Sequence, residues 1–185
     1  MRFARLAAVC ALMLVVGSCS REPEAPETPA VLNPQVQGSL NQVMRGILFP
    51  NSNIIFDAQD RDPAAEPDPN DPTASVHPFA GTYGGWPAVE NAAIALGEAA
   101  NLIVLPGRTC ENGKPVPLND EVFQKGVEGL RQIAAETLKE AQAKNTGAML
   151  DIADRLTNAC AHCHDVYRDK IVDGKPIGIA DRCTA

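Results

Sequence analysis

Four segments of the chain carry apolar residues at the spacing of an α-helix, and this pattern constrains the fold more than any other feature of the sequence. We predict helices over about 34–48, 87–105, 119–143 and 146–170. No segment shows the alternation of apolar and polar residues that is typical of strands. The sequence therefore predicts an all-α fold, most simply an antiparallel four-helix bundle in which each helix buries one apolar face.

Residues that cap or break helices mark the expected ends of these segments. Asn33 followed by Pro34 predicts the start of the first helix, and Pro50 is expected to bend or end it. Pro106 ends the second helix, and Asn119 is the expected cap of the third. The inward positions that the spacing predicts on the fourth helix are Met149, Ile152, Leu156, Cys160, Cys163 and Tyr167.

The fourth predicted helix contains Cys160-Ala161-His162-Cys163-His164, which is the pattern C-x-x-C-H. Two thiols three residues apart lie on one face of a helix, where both can add to the vinyl groups of a haem. The histidine directly after the second thiol can then reach the iron as proximal ligand. The pattern therefore predicts one covalently attached haem c, bound through Cys160, Cys163 and His164.

The N-terminus has the features of an export signal. Arg2 and Arg5 precede an apolar run over 6–16, which is too short for a permanent membrane span. We therefore read 1–18 as a signal peptide. The residues up to Cys19 resemble the lipobox of bacterial lipoproteins, which predicts a lipid anchor on Cys19, although ordinary signal cleavage leaves that cysteine unmodified. Either route exports the chain, and c-type haem is attached outside the cytoplasmic membrane.

The remainder divides into a tether and one folded domain. Residues 19–33 are rich in proline and glutamate and poor in apolar groups, which predicts a semi-extended spacer, and 34–185 form the haem domain. Removing 1–18 takes away two of the 16 basic side chains and none of the 23 acidic ones, so the formal charge of −7 becomes −9. This charge argues against binding to nucleic acid and favours a basic docking face on a redox partner.

The position of the motif on the last of four helices, followed by Tyr167 and Arg168, resembles the class II c-type cytochromes, the cytochrome c-prime group. Class I cytochromes place the motif near the N-terminus and a methionine ligand far downstream, whereas only 21 residues follow His164 here and none is methionine. The resemblance implies a periplasmic, membrane-tethered electron carrier rather than an enzyme, with redox proteins as partners. It also implies that a homodimer can form through the helices.

The second axial ligand distinguishes two functions within that family. A methionine on the first helix implies a six-coordinate electron carrier, and an apolar residue there implies a five-coordinate protein that binds nitric oxide or carbon monoxide. Met149 lies fifteen residues before His164, about 22 Å along the same helix, and cannot reach the same iron. Met44 shares an end of the bundle with His164 in an up-down-up-down topology, so we expect Met44 to be the sixth ligand.

Other polar residues are weaker candidates. His77 lies in a loop that could bring it over the haem, whereas His162 is expected to face solvent. Three arginines are predicted near the haem end and are candidate partners for the haem propionates: Arg45, Arg108 and Arg168.

Two cysteines of the predicted haem domain, Cys110 and Cys183, lie outside the motif. An oxidising compartment favours a disulfide between them. The loop that holds Cys110 and the C-terminal tail that holds Cys183 emerge at the same end of the bundle, so the bond would hold the tail beside the haem pocket.

Two rival interpretations use the same residues. Zinc binding would need Cys160, Cys163, His164 and Cys183 as ligands, but neighbouring residues on a regular helix do not easily converge on one tetrahedral ion. A thioredoxin-like pair would lie at the start of a helix rather than inside one. No nucleophile, base and acid stand together in a pattern that predicts a hydrolase.

Overall fold

The structure, a computed structural model, describes residues 33–65, 70, 79 and 83–184. The segment 1–18, Cys19 and His77 lie outside the described residues, as does the tether 19–33 apart from its last residue. From Pro34 onward the chain forms one compact unit. Among the described helices, none combines the length and the hydrophobicity needed to cross a membrane.

The described part of the chain is all-α apart from one short hairpin. Its helical elements are α1 (Leu40–Val43), a π-helical turn (Met44–Leu48), α2 (Phe49–Asp60), α3 (Trp86–Ile103), α4 (Glu121–Gln142) and α5 (Met149–Tyr167). The first three of these follow one another without a break and act as one helix of the bundle. The strands β1 (Ile171–Val172) and β2 (Lys175–Pro176) pair antiparallel after α5. Each has only two residues, too few to produce a recognisable alternation.

The helices form a ring in which each packs against two neighbours, in the order α2, α3, α4, α5 and back to α2. Neighbours run antiparallel. Phe123 near the start of α4 packs edge-on against Tyr167 at the end of α5, with ring centroids 5.8 Å apart. Farther along α4, Glu136 forms an ion pair with Arg155. The expected helical bundle is thus present.

The first helix begins at Leu40, so the predicted start at Asn33 and Pro34 is wrong. Ser39 is the N-cap: its hydroxyl accepts from Gln42 N, and the Gln42 side chain accepts in return from Ser39 N at 2.8 Å. This reciprocal pair satisfies two backbone donors at the helix start.

Pro50 does not end the first helix, which continues to Asp60. A proline lacks the N–H for the usual bond, and its ring would collide with the carbonyl four residues earlier, at Gly46. The chain instead widens over Met44–Leu48, where Phe49 N donates to Met44 O five residues back. The π-helical turn therefore accommodates Pro50 inside a continuous helix.

The remaining ends lie within a few residues of those predicted. The cap of α4 is Asp120 rather than Asn119, because the Asp120 carboxylate accepts from Val122 N at 2.8 Å and from Phe123 N at 3.3 Å. A 3₁₀ turn over Thr146–Ala148 precedes α5, so the α-helix itself starts three residues later than predicted.

Large apolar side chains from three helices fill the centre of the bundle. The largest that are almost completely buried are Ile55, Leu96, Met149, Ile152 and Leu156. The predicted inward positions on the last helix are confirmed, since four of them are buried and the two cysteines are half-buried. Toward the end of the bundle where α5 ends, the packing opens into a cavity.

Candidate functional site

A mostly apolar cavity of about 350 Å³ lies at the end of the bundle where α1 begins and α5 ends. Its volume is within the range of about 300–1,000 Å³ that is usual for cofactor sites. Cys160, Cys163 and His164 line it from α5, and Met44 lines it from the π-helical turn. The four residues that sequence reasoning selected as haem ligands therefore border one cavity.

The three motif residues of α5 share a half-buried environment. Cys160, Cys163 and His164 are all intermediate in exposure, whereas His162 is exposed, as expected for the residue between them that faces solvent. The helical spacing of three and four residues explains this, because it places the first, fourth and fifth positions of the motif on the inner side of α5.

The surroundings keep these side chains uncharged near neutral pH. Burial raises the pKa of the Cys160 thiol, and burial together with Cys160 raises the pKa of Cys163 to about 11. Burial, with the Arg168 guanidinium as the next cause, lowers the pKa of His164. A neutral imidazole has a free nitrogen lone pair, which is the form that binds a metal.

Gly126 of α4 gives Cys163 the space that it occupies. A Cβ atom built on Gly126 would lie 2.1 Å from Cys163 Sγ and 3.3 Å from His162 Cδ2. A Cβ atom at 2.1 Å from the sulfur would force Cys163 or the α4 backbone to shift, so glycine at this position lets the backbone of α4 pass close to the sulfur as it lies. Sequence reasoning missed this residue, since one glycine inside a helix carries no mark of a close helix contact.

Met44 lines the same cavity as the motif but belongs to a different helical element. It lies in the π-helical turn that Pro50 imposes, and such turns occur often at functional sites. Met149 is completely buried in the core, outside the described lining of the cavity. Of the two methionines among the described residues, Met44 is therefore the one that lines the same cavity as His164.

The three predicted arginines have different positions. Arg45 and Arg168 line the cavity, and both are exposed. The Arg168 guanidinium donates through Nε to the Asp169 carboxylate at 2.9 Å. Arg108 is placed differently from the other two, since it is not among the residues that line the cavity. It is 4% exposed, and its guanidinium donates to Leu102 O and Gly38 O, backbone carbonyls at the end of α3 and before α1.

A hydrogen bond ties the end of α5 to the start of α4. Tyr167 Oη donates to Asp120 Oδ1 at 2.5 Å, the same carboxylate that caps α4. Burial and this hydrogen bond raise the pKa of Tyr167, and the same bond is the main cause of the lowered pKa of Asp120. The contact fixes α5 three residues beyond His164.

Cys110 and Cys183 are joined in a disulfide, with Cα atoms 6.5 Å apart. Both residues line the cavity, so the bond holds the C-terminal tail against it. Arg182, beside Cys183, also lines the cavity, and sequence reasoning missed it. Its position next to a cysteine expected to be bridged was the available signal.

The rival uses of the motif have little support in this geometry. Cys183 is already bonded to Cys110, and the described residues contain no group of three or more histidine, cysteine or acidic side chains able to hold a metal ion. A redox pair of the thioredoxin type has a lowered thiol pKa at a helix start, whereas these thiols lie late in α5 with raised values.

The residues at the cavity fit a haem in their chemistry. Two thiols, one imidazole and one thioether border it, the absence of a side chain at Gly126 accommodates the Cys163 sulfur, and Arg182 carries a buried Nε–H that has no acceptor among the described residues. In comparisons with known proteins, no family model, no curated protein and no solved structure matches the chain. The assignment of function therefore depends on the site itself.

Proposed function

We propose that this protein is a mono-haem c-type cytochrome of the class II kind, acting as an electron carrier. One observation carries the proposal: a single apolar cavity is bordered by both thiols of the C-x-x-C-H motif, by its histidine and, from another helix, by Met44. Each of these groups has a distinct task in a c-type site, and the sequence separates Met44 from the motif by more than one hundred residues.

In this proposal Cys160 and Cys163 form the two thioether bonds, His164 is the proximal ligand and Met44 is the sixth. Bound haem would supply a one-electron couple at an iron ion. The neutral state of His164 leaves a nitrogen free for ligation. A histidine and methionine pair supports a higher reduction potential than two histidines.

The rest of the cavity tunes and protects such a site. Leu48, Leu96, Phe123 and Leu130 contribute apolar surface to the lining. Apolar side chains exclude water and disfavour additional charge, which favours the reduced state of a bound couple. The covalent attachment through two cysteines would prevent loss of the cofactor after export.

The proposal is tested by measuring how much haem becomes covalently attached to the chain. The full-length chain is expressed in a bacterium that attaches haem c to exported proteins, and haem is counted by the pyridine haemochrome assay. We expect one haem per chain, retained in acidified organic solvent, and none retained when Cys160 and Cys163 are both replaced by Ser. A wild-type chain that is exported and folded but carries no covalent haem would contradict the proposal.

Met44 is tested by the absorption spectrum of the loaded protein. The variant Met44→Leu keeps volume but removes the sulfur, so we expect the low-spin spectrum and its weak methionine band near the red end to be lost. Met149→Leu is the matched control, because it makes the same change in the core, and it should leave the spectrum unchanged. A high-spin wild-type spectrum that is unchanged by Met44→Leu, with ready nitric oxide or carbon monoxide binding, would favour the five-coordinate gas-binding function instead.

We also propose that the mature protein is tethered to a membrane through a lipid on Cys19, with 19–33 as spacer, and that its partners are redox proteins with basic docking faces. The export features of 1–18 and the acidic composition support this. Mass spectrometry of the mature N-terminus should find acyl groups on Cys19. Recovery of an unacylated protein in the soluble periplasmic fraction would refute the tether.

A further inference from the structure

The C-terminal tail is held firmly against the cavity. Cys183 is bonded to Cys110, and its backbone N–H donates to Tyr167 O at 3.0 Å. The side chain of Asn112 adds a second anchor, since its Nδ2 donates at 3.0–3.2 Å to three carbonyls of the tail, those of Ile179, Ala180 and Arg182. The residue directly before Cys183 is held by both the disulfide and Asn112, so its backbone has little freedom to move.

That residue is Arg182, and its guanidinium is only partly used. Nη1 pairs with Glu111 Oε2 at 3.1 Å, and the two side chains are 32% and 29% exposed. Nε is buried, and among the described residues it is the side-chain nitrogen or oxygen atom that is buried without a hydrogen-bond partner. A buried donor without an acceptor is costly, and a bound ligand can relieve that cost.

The other arginines of the lining are placed differently. Arg168 directs both Nε and Nη2 at the Asp169 carboxylate, and Arg45 is exposed on the first helix. Arg182 is the lining arginine that an anchored backbone holds at the cavity wall and whose Nε is buried without an acceptor. The charged groups around it are Glu111, which it pairs with, and the ion pair of Arg168 and Asp169, whose lowered carboxyl pKa has Arg168 as its main cause and Arg182 as a smaller one.

We propose that Arg182, held in place by the Cys110–Cys183 disulfide, binds a propionate carboxylate of the haem through its guanidinium group. This inference rests on the proposed function. An arginine suits the task, because its planar guanidinium can donate to two carboxylates at once, one of them Glu111. The disulfide and Asn112 fix the backbone in advance, so that little conformational freedom is lost when the carboxylate is bound.

The test is a redox titration of the haem-loaded, full-length protein over a range of pH. A carboxylate beside a cation ionises at a lower pH, and its ionisation shifts the midpoint potential. The plot of midpoint potential against pH therefore bends at the pH where the propionate ionises. In Arg182→Gln we expect this bend to move to a higher pH by about one to three units. Arg182→Lys should give a smaller shift. The control Arg61→Gln removes the same charge from an exposed position beyond α2, and it should leave the pH of this bend unchanged.

A second variant covers the case in which Arg182→Gln fails to load haem. Replacing Cys110 and Cys183 by Ser removes the covalent anchor of the tail but leaves that of Asn112, so it should shift the pH of the bend upward by less than Arg182→Gln does. Adding Arg182→Gln to it should shift the pH of the bend no further than Arg182→Gln alone. If the haem-loaded Arg182 and cysteine variants titrate at the same pH as Arg61→Gln, the role of Arg182 is refuted. The proposed function is not affected by that result. A wild-type chain without covalent haem overturns both this inference and the proposed function.

Discussion

Gly126 offers a direct test of the contact between α4 and the motif helix. Replacing it with Ala places a methyl group 2.1 Å from Cys163 Sγ, well inside van der Waals contact. Gly129, one turn further along α4, has no atom within 4 Å of the same built position. The two substitutions are chemically identical and lie in one helix, so their difference isolates the contact with Cys163.

The expected magnitudes follow from two opposing effects. Ala is favoured over Gly inside a helix by about 0.5–1 kcal/mol, so Gly129→Ala should stabilise the protein by about that amount. Gly126→Ala has the same advantage, but overpacking of a tight site costs about 1–3 kcal/mol. We therefore expect Gly126→Ala to be about 1–3 kcal/mol less stable than Gly129→Ala, or about 2–4 °C in Tm for each kcal/mol.

Haem attachment should widen this difference. A free Cys163 thiol can rotate to another staggered rotamer and relieve part of the overlap, whereas a sulfur held in a thioether cannot. Unfolding in urea is measured for haem-free and loaded forms of both variants, together with the haem yield. We expect a lower haem yield for Gly126→Ala only. Equal stability and equal haem yield in the two variants would refute the close contact of Cys163 with the α4 backbone.

Three further predictions concern stability. The pKa of Asp120 is lowered mainly by its hydrogen bond from Tyr167, so the charge of Asp120 stabilises the fold above the unfolded pKa of about 3.9. This stabilisation is lost as pH falls through the lowered, folded pKa, so urea unfolding of Asp120→Asn should depend less on pH below about pH 4. Replacing Cys110 and Cys183 by Ser should lower the unfolding free energy by about 2–4 kcal/mol, because the bond links residues 73 apart. Leu156→Ala removes a completely buried side chain and should lower the unfolding free energy by about 2–5 kcal/mol, measured the same way.

Each of these has a matched comparison. Asp154→Asn removes an exposed carboxylate from α5 and should keep the acid dependence of the wild type. Leu150→Ala removes a side chain that is 62% exposed, and the unfolding free energy should change by less than about 0.5 kcal/mol. Wild-type protein treated with a reductant should unfold like the double cysteine variant, and no response to the reductant would count against a stabilising disulfide.

The helices were predictable because their apolar residues repeat at helical spacing. The residues at which the first helix begins and ends were not predictable in this way. Asn33 and Pro34 have the right types for a helix start, yet the helix begins at Ser39, where Gln42 completes a reciprocal cap. Pro50 is a helix breaker by local rules. Packing of Ile55 and Ala58 in the core favours continuation of the helix, and the π-helical turn removes the clash.

Some residues of the candidate site could likewise be predicted from local spacing, and others could not. The spacing within the motif predicts that Cys160, Cys163 and His164 act together, because three and four residues along a helix return to one face. The pairing of Met44 with this motif needed the order of the helices as well. Nothing local marks Gly126, and for Arg182 the neighbouring Cys183 indicates only its place in the tail. The close contact of Gly126 and the free donor of Arg182 both depend on which distant segment lies beside them.

The all-α class, the one-sided burial of each helix and the C-x-x-C-H motif on the last of them can be read from the residues in order, because they follow from periodicity over a few turns. The packing of the whole chain is needed to bring Met44 and the motif to one cavity, to place Gly126 against Cys163, and to hold Arg182 at the cavity wall through the disulfide. The reason is physical: local patterns set which face of a helix is buried, whereas contacts between segments far apart in the chain arise only when all of the helices pack together.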